Sequence, residues 1–329
     1  MSSRSFLVTG GSGFLGSALA RRLVQSGHRV RVLDNNFRGS QARLRDVWGD
    51  IEFIEADIRD GDAVKLAVSG VESVCHLAFV NGTEFFYKQP ELVLDVGVKG
   101  MVNVLDACLS ASVGELMLAS SSEVYQTPPV VPTDETVPLS IPDPLNPRYS
   151  YAAGKIISEI MALNAGRSGL GRVIVIRPHN VYGPDMGWEH VIPQFVVRMK
   201  VLAGRHAEDP IRFPIQGSGQ ETRAFVFVDD FIDAWMLLLE QGAHRGIYHV
   251  GTMDEQPMSR VAHLTAQYFG RVAVVQPGEP ARGGTLRRCP DTTKLSLLGY
   301  RPRYSFEQGL PIVAKWYDEH SHLAPRSSD

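Results

Sequence analysis

The chain has 329 residues, enough for one large domain or two modest ones around a substantial buried core. Its hydrophobic content of 44%, charged content of 21% and formal net charge of −3 give no reason to expect nucleic acid or a membrane surface as a partner. Three widely separated cysteines predict neither a disulfide framework nor a metal site. No apolar run approaches the ~18 residues of a membrane span and no segment has the pattern of a signal peptide, so we expect a cytoplasmic protein.

The stretch FLVTGGSGFLG predicts a buried strand, a glycine turn and then a helix. Three glycines follow the apolar run at a spacing of three, and the helical pattern SALARRLVQ ends before Gly27. A turn of this kind brings backbone N–H groups close to a pyrophosphate at the N-terminus of the helix. The residues predicted to contact a dinucleotide here are Gly10, Gly13, Phe14, Leu15 and Gly16.

Asp34 ends the second predicted strand, RVRVLD, 18 residues after Gly16. A carboxylate at this position accepts hydrogen bonds from both ribose hydroxyls of an adenosine and repels a 2′-phosphate. Asp34 therefore predicts NAD rather than NADP as the cofactor. The alternative is that Asp34 is an ordinary capping residue of a turn.

The first half of the chain alternates strand-like apolar runs with helical patterns, which predicts an α/β fold with a doubly wound parallel sheet. Further strands are predicted at 51–57, 71–78, 114–125 and 172–178, and helices at 62–70, 90–111 and 149–166. Ligands bind outside the carboxyl ends of such strands. The polar run Ser120–Glu123, predicted to end the fifth strand, is therefore well placed for chemistry.

Residues 126–147 are rich in proline and predict an ordered surface loop over the site. Beyond Pro178 the pattern loosens into helices, a strand–turn–strand stretch and, from Glu255, two short helices with a basic loop. We assign residues 1–178, completed by 223–251, to a dinucleotide-binding domain. Residues 179–222 and 252–329 are assigned to a smaller lobe.

Tyr151 and Lys155 are four residues apart on a predicted helix and so share one face. An ammonium beside a phenol favours the phenolate and lowers the tyrosine pKa from its usual value near 10. Such pairs are common by chance, but this one follows the serine-rich strand end by about 30 residues. Tyr151 is therefore predicted to exchange protons near neutral pH.

Taken together, the motifs resemble the extended short-chain dehydrogenase/reductase family, and within it the NAD-dependent nucleotide-sugar epimerases and dehydratases. In chain order they are TGGSGFLG, Asp34, His76–Ala78 (HLA), SSSEVY, Tyr151-x-x-x-Lys155, RPHNVYGP, GSGQETRAFVFVDD and RRCPDTTK. They cover nearly the whole chain in the family's order. The resemblance implies a Rossmann domain with a smaller C-terminal substrate-binding lobe, NAD as the cofactor and a nucleotide sugar, first of all a UDP-sugar, as the substrate. It also implies a homodimer formed through the helices that contain Pro90–Ala111 and Tyr151–Ala165.

The resemblance further implies a catalytic trio of Ser121, Tyr151 and Lys155. Ser121 would hydrogen-bond a sugar hydroxyl, Tyr151 would exchange its proton, and Lys155 would hold the nicotinamide ribose. Additional cofactor contacts are implied at Asn35, Asp57, Ile58, Leu77 and Ala78. His76, at a strand end, is expected to be structural.

Glu123 discriminates among reactions within the family. The sequence S-S-E-V-Y resembles that of sugar 4,6-dehydratases and UDP-glucuronate decarboxylases, whereas simple 4-epimerases more often have a small residue there. Its carboxylate is expected either to remove a proton beside a transient ketone or to bind a hydroxyl. Ser122, a predicted substrate contact, stands where many hexose dehydratases have an aspartic acid, which disfavours that reaction.

We therefore predict first an epimerase that acts through a transient 4-keto sugar and recycles NAD. A dehydratase or hexuronate decarboxylase that uses Glu123 is the second hypothesis. A hypothesis of another class is a non-catalytic NAD sensor or scaffold, because a fold does not fix a function.

Three further residues match family positions that contact the nucleotide sugar, namely Asn180, Arg223 and Arg288. Arginine suits a diphosphate because its planar fork pairs with two oxygens at once. Arg282 and Arg287 lie close by in the sequence, and a solvated basic loop explains them at least as well.

The chain also departs from the family pattern at three places. The usual N-V-x-G-T, whose asparagine contacts the cofactor, begins here with Gly97. The glycine after V-Y is Gln126, and HLAA ends in Phe79. These departures predict a sugar pocket unlike that of a galactose epimerase.

Overall fold

The computed structural model describes residues 3–279 and 285–325, which form two compact units. The first unit consists of the residues up to Gln126 together with Glu135–Pro178 and Ile232–His249. The second consists of Thr127–Asp134, His179–Phe231 and the residues from Val250 onward.

The strands, in chain order, are β1 (Ser5–Thr9), β2 (Arg29–Asp34), β3 (Ile51–Glu55), β4 (Ser73–His76), β5 (Glu115–Ala119), β6 (Arg172–Pro178), β7 (Val181–Tyr182), β8 (Ile211–Pro214), β9 (Thr222–Ala224), β10 (Val226–Phe227), β11 (Gly246–Val250), β12 (Glu255–Pro257), β13 (Ala273–Gln276) and β14 (Arg287–Arg288). The α-helices are α1 (Phe14–Gln25), α2 (Gly61–Val68), α3 (Thr83–Lys88), α4 (Pro90–Leu94), α5 (Gly100–Ser110), α6 (Ser150–Ser168), α7 (Val191–Arg205), α8 (Val228–Gln241), α9 (Met258–Tyr268), α10 (Thr293–Leu297) and α11 (Phe306–Glu319).

The first unit is built on a seven-stranded sheet in the order β11-β6-β5-β4-β1-β2-β3. All five residues of β1 are buried, as a strand between two parallel neighbours requires. Strands β2 and β4 pair with β1 on its two sides, both in parallel. The strand order therefore reverses at β1 and β4, and this is where doubly wound sheets bind ligands. The α/β class and the parallel sheet predicted from the sequence are confirmed.

Some element bounds differ from the sequence prediction. The helix predicted from Pro90 to Ala111 is interrupted by a π turn, Asp95–Lys99, between α4 and α5. The fifth strand ends at Ala119, before the serines, because the Ser121 side chain accepts a hydrogen bond from Glu123 N and starts a 3₁₀ turn.

In its described residues the second unit contains three small sheets, β10-β7, β12-β9-β14 and β13-β8. Its core includes an aromatic cluster in which Tyr182 contacts Phe225, Phe227 and Phe306 at ring-centroid distances of 5.9, 5.5 and 5.4 Å. The prediction of two short helices after Glu255 was wrong. Three helices, α9, α10 and α11, and three strands lie there within the described residues.

Among residues 3–279 and 285–325, no helix is long and apolar enough to cross a bilayer. The same residues include no group of three or more histidine, cysteine or acidic side chains that could hold a metal ion.

Candidate active site

The glycine turn after β1 lies against the end of β4, at the reversal of strand order. Gly10 has a φ of +71°, and a Cβ atom on it would lie 2.7 Å from the backbone nitrogen of Ala78. A Cβ atom on Gly16 would overlap the carbonyl oxygen of Gly10. Helix α1 starts at Phe14 with Gly13 as an N-cap that offers no side-chain acceptor. The turn therefore presents bare backbone and the first N–H groups of a helix, which is an anion-binding arrangement.

Asp34 lies at the carboxyl end of β2, next to this turn. Its two carboxylate oxygens accept hydrogen bonds from Ser12 N at 2.9 Å and Asn36 N at 2.8 Å, so its orientation is fixed by backbone. At the end of β3, the Asp57 carboxylate accepts from the Asn35 side chain at 2.9 Å and from Arg59. The hydrogen bond from Arg59 holds the pKa of Asp57 below its usual range. Both carboxylates are thus fixed at neighbouring strand ends.

Tyr151 and Lys155 lie in the first turns of α6, facing the end of β5. Both are buried, and the Ser121 side chain lies near enough to the hydroxyl of Tyr151 to favour its ionised form. The ammonium of Lys155 donates to the carbonyl oxygen of Ala119 at 2.6 Å. The structure therefore brings Ser121, Tyr151 and Lys155 together, although they come from two elements about 30 residues apart in the chain.

The electrostatics of this pair differ from the sequence expectation. Burial raises the pKa of Tyr151, and the negative charge of Glu123 raises it further, while the nearby Ser121 side chain lowers it. Burial lowers the pKa of Lys155 to about 7, so its charge is only partly present near neutral pH. In the protein without a bound cofactor, Lys155 therefore does not lower the pKa of Tyr151 below its usual value.

The sequence of residues 6–251 matches the NAD-dependent epimerase/dehydratase family. The chain belongs to this family. It is therefore an enzyme, and its cofactor is NAD. The turn fits the pyrophosphate of such a cofactor, because the Gly13 N-cap leaves the first N–H groups of α1 without a side-chain acceptor.

Relatives catalyse several different reactions. A UDP-N-acetyl-alpha-D-glucosaminuronate decarboxylase of Bacillus cytotoxicus is 30% identical over 95% of this chain and 97% of its own. A UDP-glucose 4-epimerase of Mycolicibacterium smegmatis is 33% identical over 94% of this chain and 97% of its own. The structure of DesIV, a dTDP-glucose 4,6-dehydratase of Streptomyces venezuelae with NAD bound, is 30% identical and has a TM-score of 0.85, covering 97% of this chain and 98% of its own. At such similar identities, the choice of reaction has to be argued from the site.

Glu123 lies in the 3₁₀ turn Ser122–Tyr125, two residues after Ser121, which caps this turn. It is half-buried, and its charge is close enough to affect the pKa of Tyr151. Ser122 is buried beside it. The carboxylate is therefore placed where it can act near the hydroxyl of Tyr151.

His76, at the end of β4, is fully buried, and its ring bonds Thr9 Oγ1 at 2.7 Å. Burial, together with the nearby charge of Lys155, lowers the pKa of His76 to about 3. The ring is therefore neutral over the physiological range. This environment suits the structural role expected for it.

In the second unit, Arg223 and Arg288 lie directly opposite each other on the paired strands β9 and β14. Arg223 donates to the carbonyl oxygen of Thr285 at 2.7 Å, and Arg288 donates to the hydroxyl of the same residue at 3.1 Å. The side-chain amide of Asn180 donates to Ala224 O at 3.0 Å, next to Arg223. The three predicted substrate contacts of this unit therefore converge on one strand.

The two neighbouring arginines differ in environment. Arg287 forms an ion pair with Glu255, with Nε–Oε2 at 2.8 Å, and its side chain is half-exposed. Arg282 lies outside the described residues. Arg287 thus has a local carboxylate partner, whereas Arg288 is buried beside Arg223.

Sequence reasoning missed a buried network one helical turn beyond Lys155. Glu159 accepts two hydrogen bonds from Arg177, at 2.9 and 2.6 Å, and a further one from Ser120. Arg177 also donates to the hydroxyl of Tyr125, which bonds His249 Nε2 at 2.7 Å. The signal was present, because Glu159 continues the spacing of four that relates Tyr151 to Lys155.

Proposed function

We propose that this enzyme epimerises a nucleotide sugar, UDP-linked in the first instance, by oxidising and then reducing its C4. The observation that carries the proposal is the buried Tyr151 hydroxyl, which lies near the Ser121 side chain and on the face of α6 that also holds Lys155. A buried acid/base group with a partner that orients it is the arrangement that proton transfer needs.

In this mechanism each side chain acts at a defined atom. Ser121 orients the 4-hydroxyl, Tyr151 as phenolate accepts its proton, and Tyr151 later returns the proton to the oxygen on the reduced carbon. Lys155 holds the cofactor ribose. NAD supplies the hydride acceptor and donor, and the positive charge of its oxidised ring favours the phenolate form of Tyr151.

Arg223 and Arg288 are proposed to bind the diphosphate of the substrate. Their guanidinium groups share Thr285 as a hydrogen-bond partner, which keeps two positive charges side by side. Two adjacent arginines can neutralise the two charges of a nucleotide diphosphate and pair with its oxygens. Arg288→Ala should therefore raise KM about tenfold or more, with kcat less affected, whereas Arg287→Ala should leave KM nearly unchanged.

A decarboxylase acting on a hexuronate is the second candidate, and the position of Glu123 favours it. A 4-keto group makes the C6 carboxylate of a hexuronate a β-keto acid. Carbon dioxide leaves as the C5–C6 bond breaks, and Glu123 in its protonated form would donate a proton to C5 of the resulting enolate. The corresponding 4,6-dehydratase needs an acid for the 6-hydroxyl, and Ser122 is not one. The dehydratase is therefore the weaker alternative.

The deciding experiment is incubation with a panel of UDP-, GDP-, CDP- and dTDP-sugars, including hexuronates, followed by mass spectrometry and proton NMR. An unchanged mass with an altered ring coupling indicates an epimerase. Loss of carbon dioxide indicates a decarboxylase, and loss of water a dehydratase. NAD binding without turnover of any sugar would favour the non-catalytic sensor or scaffold.

Two variants then test the roles of the side chains. Tyr151→Phe should lower turnover by about 10²–10⁴-fold while NAD remains bound, and unchanged turnover would contradict the mechanism. Glu123→Gln should spare an epimerase and inactivate a decarboxylase. An inactive Glu123→Gln enzyme whose parent only epimerises would show that Glu123 does more than bind a hydroxyl.

We also propose a homodimer, a cytoplasmic location and a division into an NAD-binding domain and a nucleotide-sugar-binding lobe. Helices α5 and α6 support the dimer, because Leu109, Ile157 and Ile160 leave 41%, 41% and 49% of their surface exposed. Light scattering on Ile160→Glu protein tests it. A parent that is already monomeric would contradict the proposal.

A further inference from the structure

Phe79 directly follows the His76–Ala78 segment, and its ring is wedged between the π turn and α6. A Cβ atom on Gly97 would lie 2.6 Å from Cε2 of this ring and would overlap its Cζ. A Cβ atom on Gly154 would lie 2.9 Å from the same Cζ. The ring therefore occupies the space that a side chain would take at either glycine.

The same ring contacts both predicted catalytic residues of α6. The ammonium nitrogen of Lys155 lies 4.1 Å from the centroid of Phe79, within the range of a cation–π interaction. The ring of Tyr151 meets Phe79 edge-on, with centroids 5.1 Å apart and an interplanar angle of 82°. Tyr151 also stacks on Phe86, with ring centroids 4.8 Å apart. Two aromatic rings thus pack against Tyr151.

Lys155 has few other groups to hold its charge. Its hydrogen bond to Ala119 O is neutral, and the ring of His76, from β4, is neutral as well. Glu159, four residues along α6, supplies a favourable charge but already forms an ion pair with Arg177. The ring of Tyr151 lies farther away, with its centroid 5.8 Å from the ammonium nitrogen, so the Phe79 ring at 4.1 Å is the nearer of the two aromatic partners of Lys155.

We propose that Phe79 is a positioning residue, which holds the Lys155 ammonium and the Tyr151 ring in place, and that glycine is required at positions 97 and 154 to admit its ring. This role rests on the proposed function, because it acts through Tyr151 and Lys155. It makes Phe79 and Gly97, two of the departures from the family pattern, parts of one feature together with Gly154.

The first test measures the melting temperature and does not depend on catalytic activity. It asks whether removal of the Phe79 ring reverses the sign of the effect of a glycine-to-alanine substitution. Alanine in place of a helical glycine normally stabilises a protein, so Gly97→Ala and Gly154→Ala should raise the melting temperature unless Phe79 blocks them. We expect both to lower it in the parent and to raise it, or leave it unchanged, in the Phe79→Ala background. Gly204, in α7 with no atom near its added Cβ, is the matched control and should behave alike in both backgrounds. Stabilisation by Gly97→Ala in the parent would overturn the proposal.

The second test follows the charge of Lys155 directly. The chain has seven lysines, so ¹³C-labelled lysine NMR can assign the Lys155 resonance by its loss in Lys155→Met protein. Phe79→Leu and Phe79→Met keep an apolar side chain but remove the π face, and should lower the pKa of Lys155 by about one unit. In the pH profile of kcat, the limb that reflects the ionisation of Lys155 should shift by the same number of pH units.

These outcomes separate the proposal from the function it rests on. An unshifted Lys155 titration in both variants would overturn the positioning role even if the enzyme epimerises sugars. A shifted titration in a protein that turns over no sugar of the panel would uphold the contact and refute the proposed function.

Discussion

Two buried clusters of polar side chains include residues one helical turn apart on α6. They differ in whether a charged group has an oppositely charged partner. The first, which we call the paired cluster, consists of Ser120, Tyr125, Glu159 and Arg177, with each charge opposed by another. The second is the Tyr151–Lys155 pair, in which the ammonium contacts a carbonyl oxygen and two aromatic rings but forms no ion pair with a carboxylate of the described residues. In the paired cluster burial lowers the pKa of Arg177, but the hydrogen bonds and charge of Glu159 outweigh burial and the pKa lies above its usual value. Burial lowers the pKa of Lys155 to about 7.

The difference separates a structural from a functional use of buried polar groups. A buried ion pair whose donors and acceptors all have hydrogen-bond partners is costly to break. It has no unused donor or acceptor for a ligand. The charged form of a buried amine is unfavourable when no carboxylate is paired with it, until another group or a ligand interacts with the charge. The Tyr151–Lys155 pair is thus suited to receive a charged or hydroxylated ligand, and the paired cluster to hold α6 against β5 and β6.

Arg177→Met should produce the largest loss of stability. It leaves the Glu159 carboxylate buried without its partner, and we expect a loss of about 3–5 kcal/mol in the free energy of unfolding, measured with urea. Joint replacement of Arg177 and Glu159 by apolar residues should recover much of it. A loss below about 1 kcal/mol for the single change would break the comparison.

Lys155→Met should raise, rather than lower, the free energy of unfolding. Since the folded-state pKa of Lys155 is about 7 and the unfolded value is near 10.5, the unfolded chain binds more protons between these pH values. The parent protein, free of NAD, should therefore gain roughly 2–3 kcal/mol more than Lys155→Met between pH 8 and pH 10. The free energy of unfolding of both proteins is measured across this pH window. Parallel changes with pH in the two proteins would reject the lowered pKa.

Tyr125→Phe and Tyr151→Phe form a matched pair of hydroxyl deletions. Tyr125 belongs to the paired cluster, so its loss should cost about 1–2 kcal/mol of stability and leave kcat per folded molecule nearly unchanged. Tyr151→Phe should do the reverse. Both effects are read from urea unfolding and initial rates, and similar effects of the two changes on turnover would erase the distinction.

Arg22→Gln should give the smallest effect. Arg22 and Asp233 form an ion pair at 2.5 Å with about a third of each side chain exposed. Because water screens this pair, its removal should cost at most about 1 kcal/mol. A loss as large as that of Arg177→Met would mean that burial is not what distinguishes the paired cluster.

Much of the fold could be predicted from the sequence because strand periodicity and glycine turns are local signals. The strands Arg29–Asp34 and Arg172–Pro178 lie where the pattern placed them. The π turn in the helix after Pro90 could not be predicted, because it accompanies the packing of Phe79 against Gly97, which are 18 positions apart in the chain. Tertiary contact, rather than propensity, decides such a point.

The candidate site was predictable in its members but not in its electrostatics. Spacing on α6 placed Tyr151 beside Lys155, and the family resemblance implied Ser121, whose side chain lies near the Tyr151 hydroxyl. The sign of the pKa change of Tyr151 depends on burial and on Glu123, and neither is visible in a spacing of four residues. The roles of these residues stay predictions.

The packing of Phe79 makes the effects of substitutions at positions 79 and 97 depend on the order in which they are made. A side chain at position 97 would overlap the present ring, so Gly97 can be replaced without strain only after Phe79 has become smaller. Phe79→Ala on its own leaves a hole beside Gly97, which a later substitution at position 97 can fill. The accessible path of replacement therefore passes through position 79 before position 97.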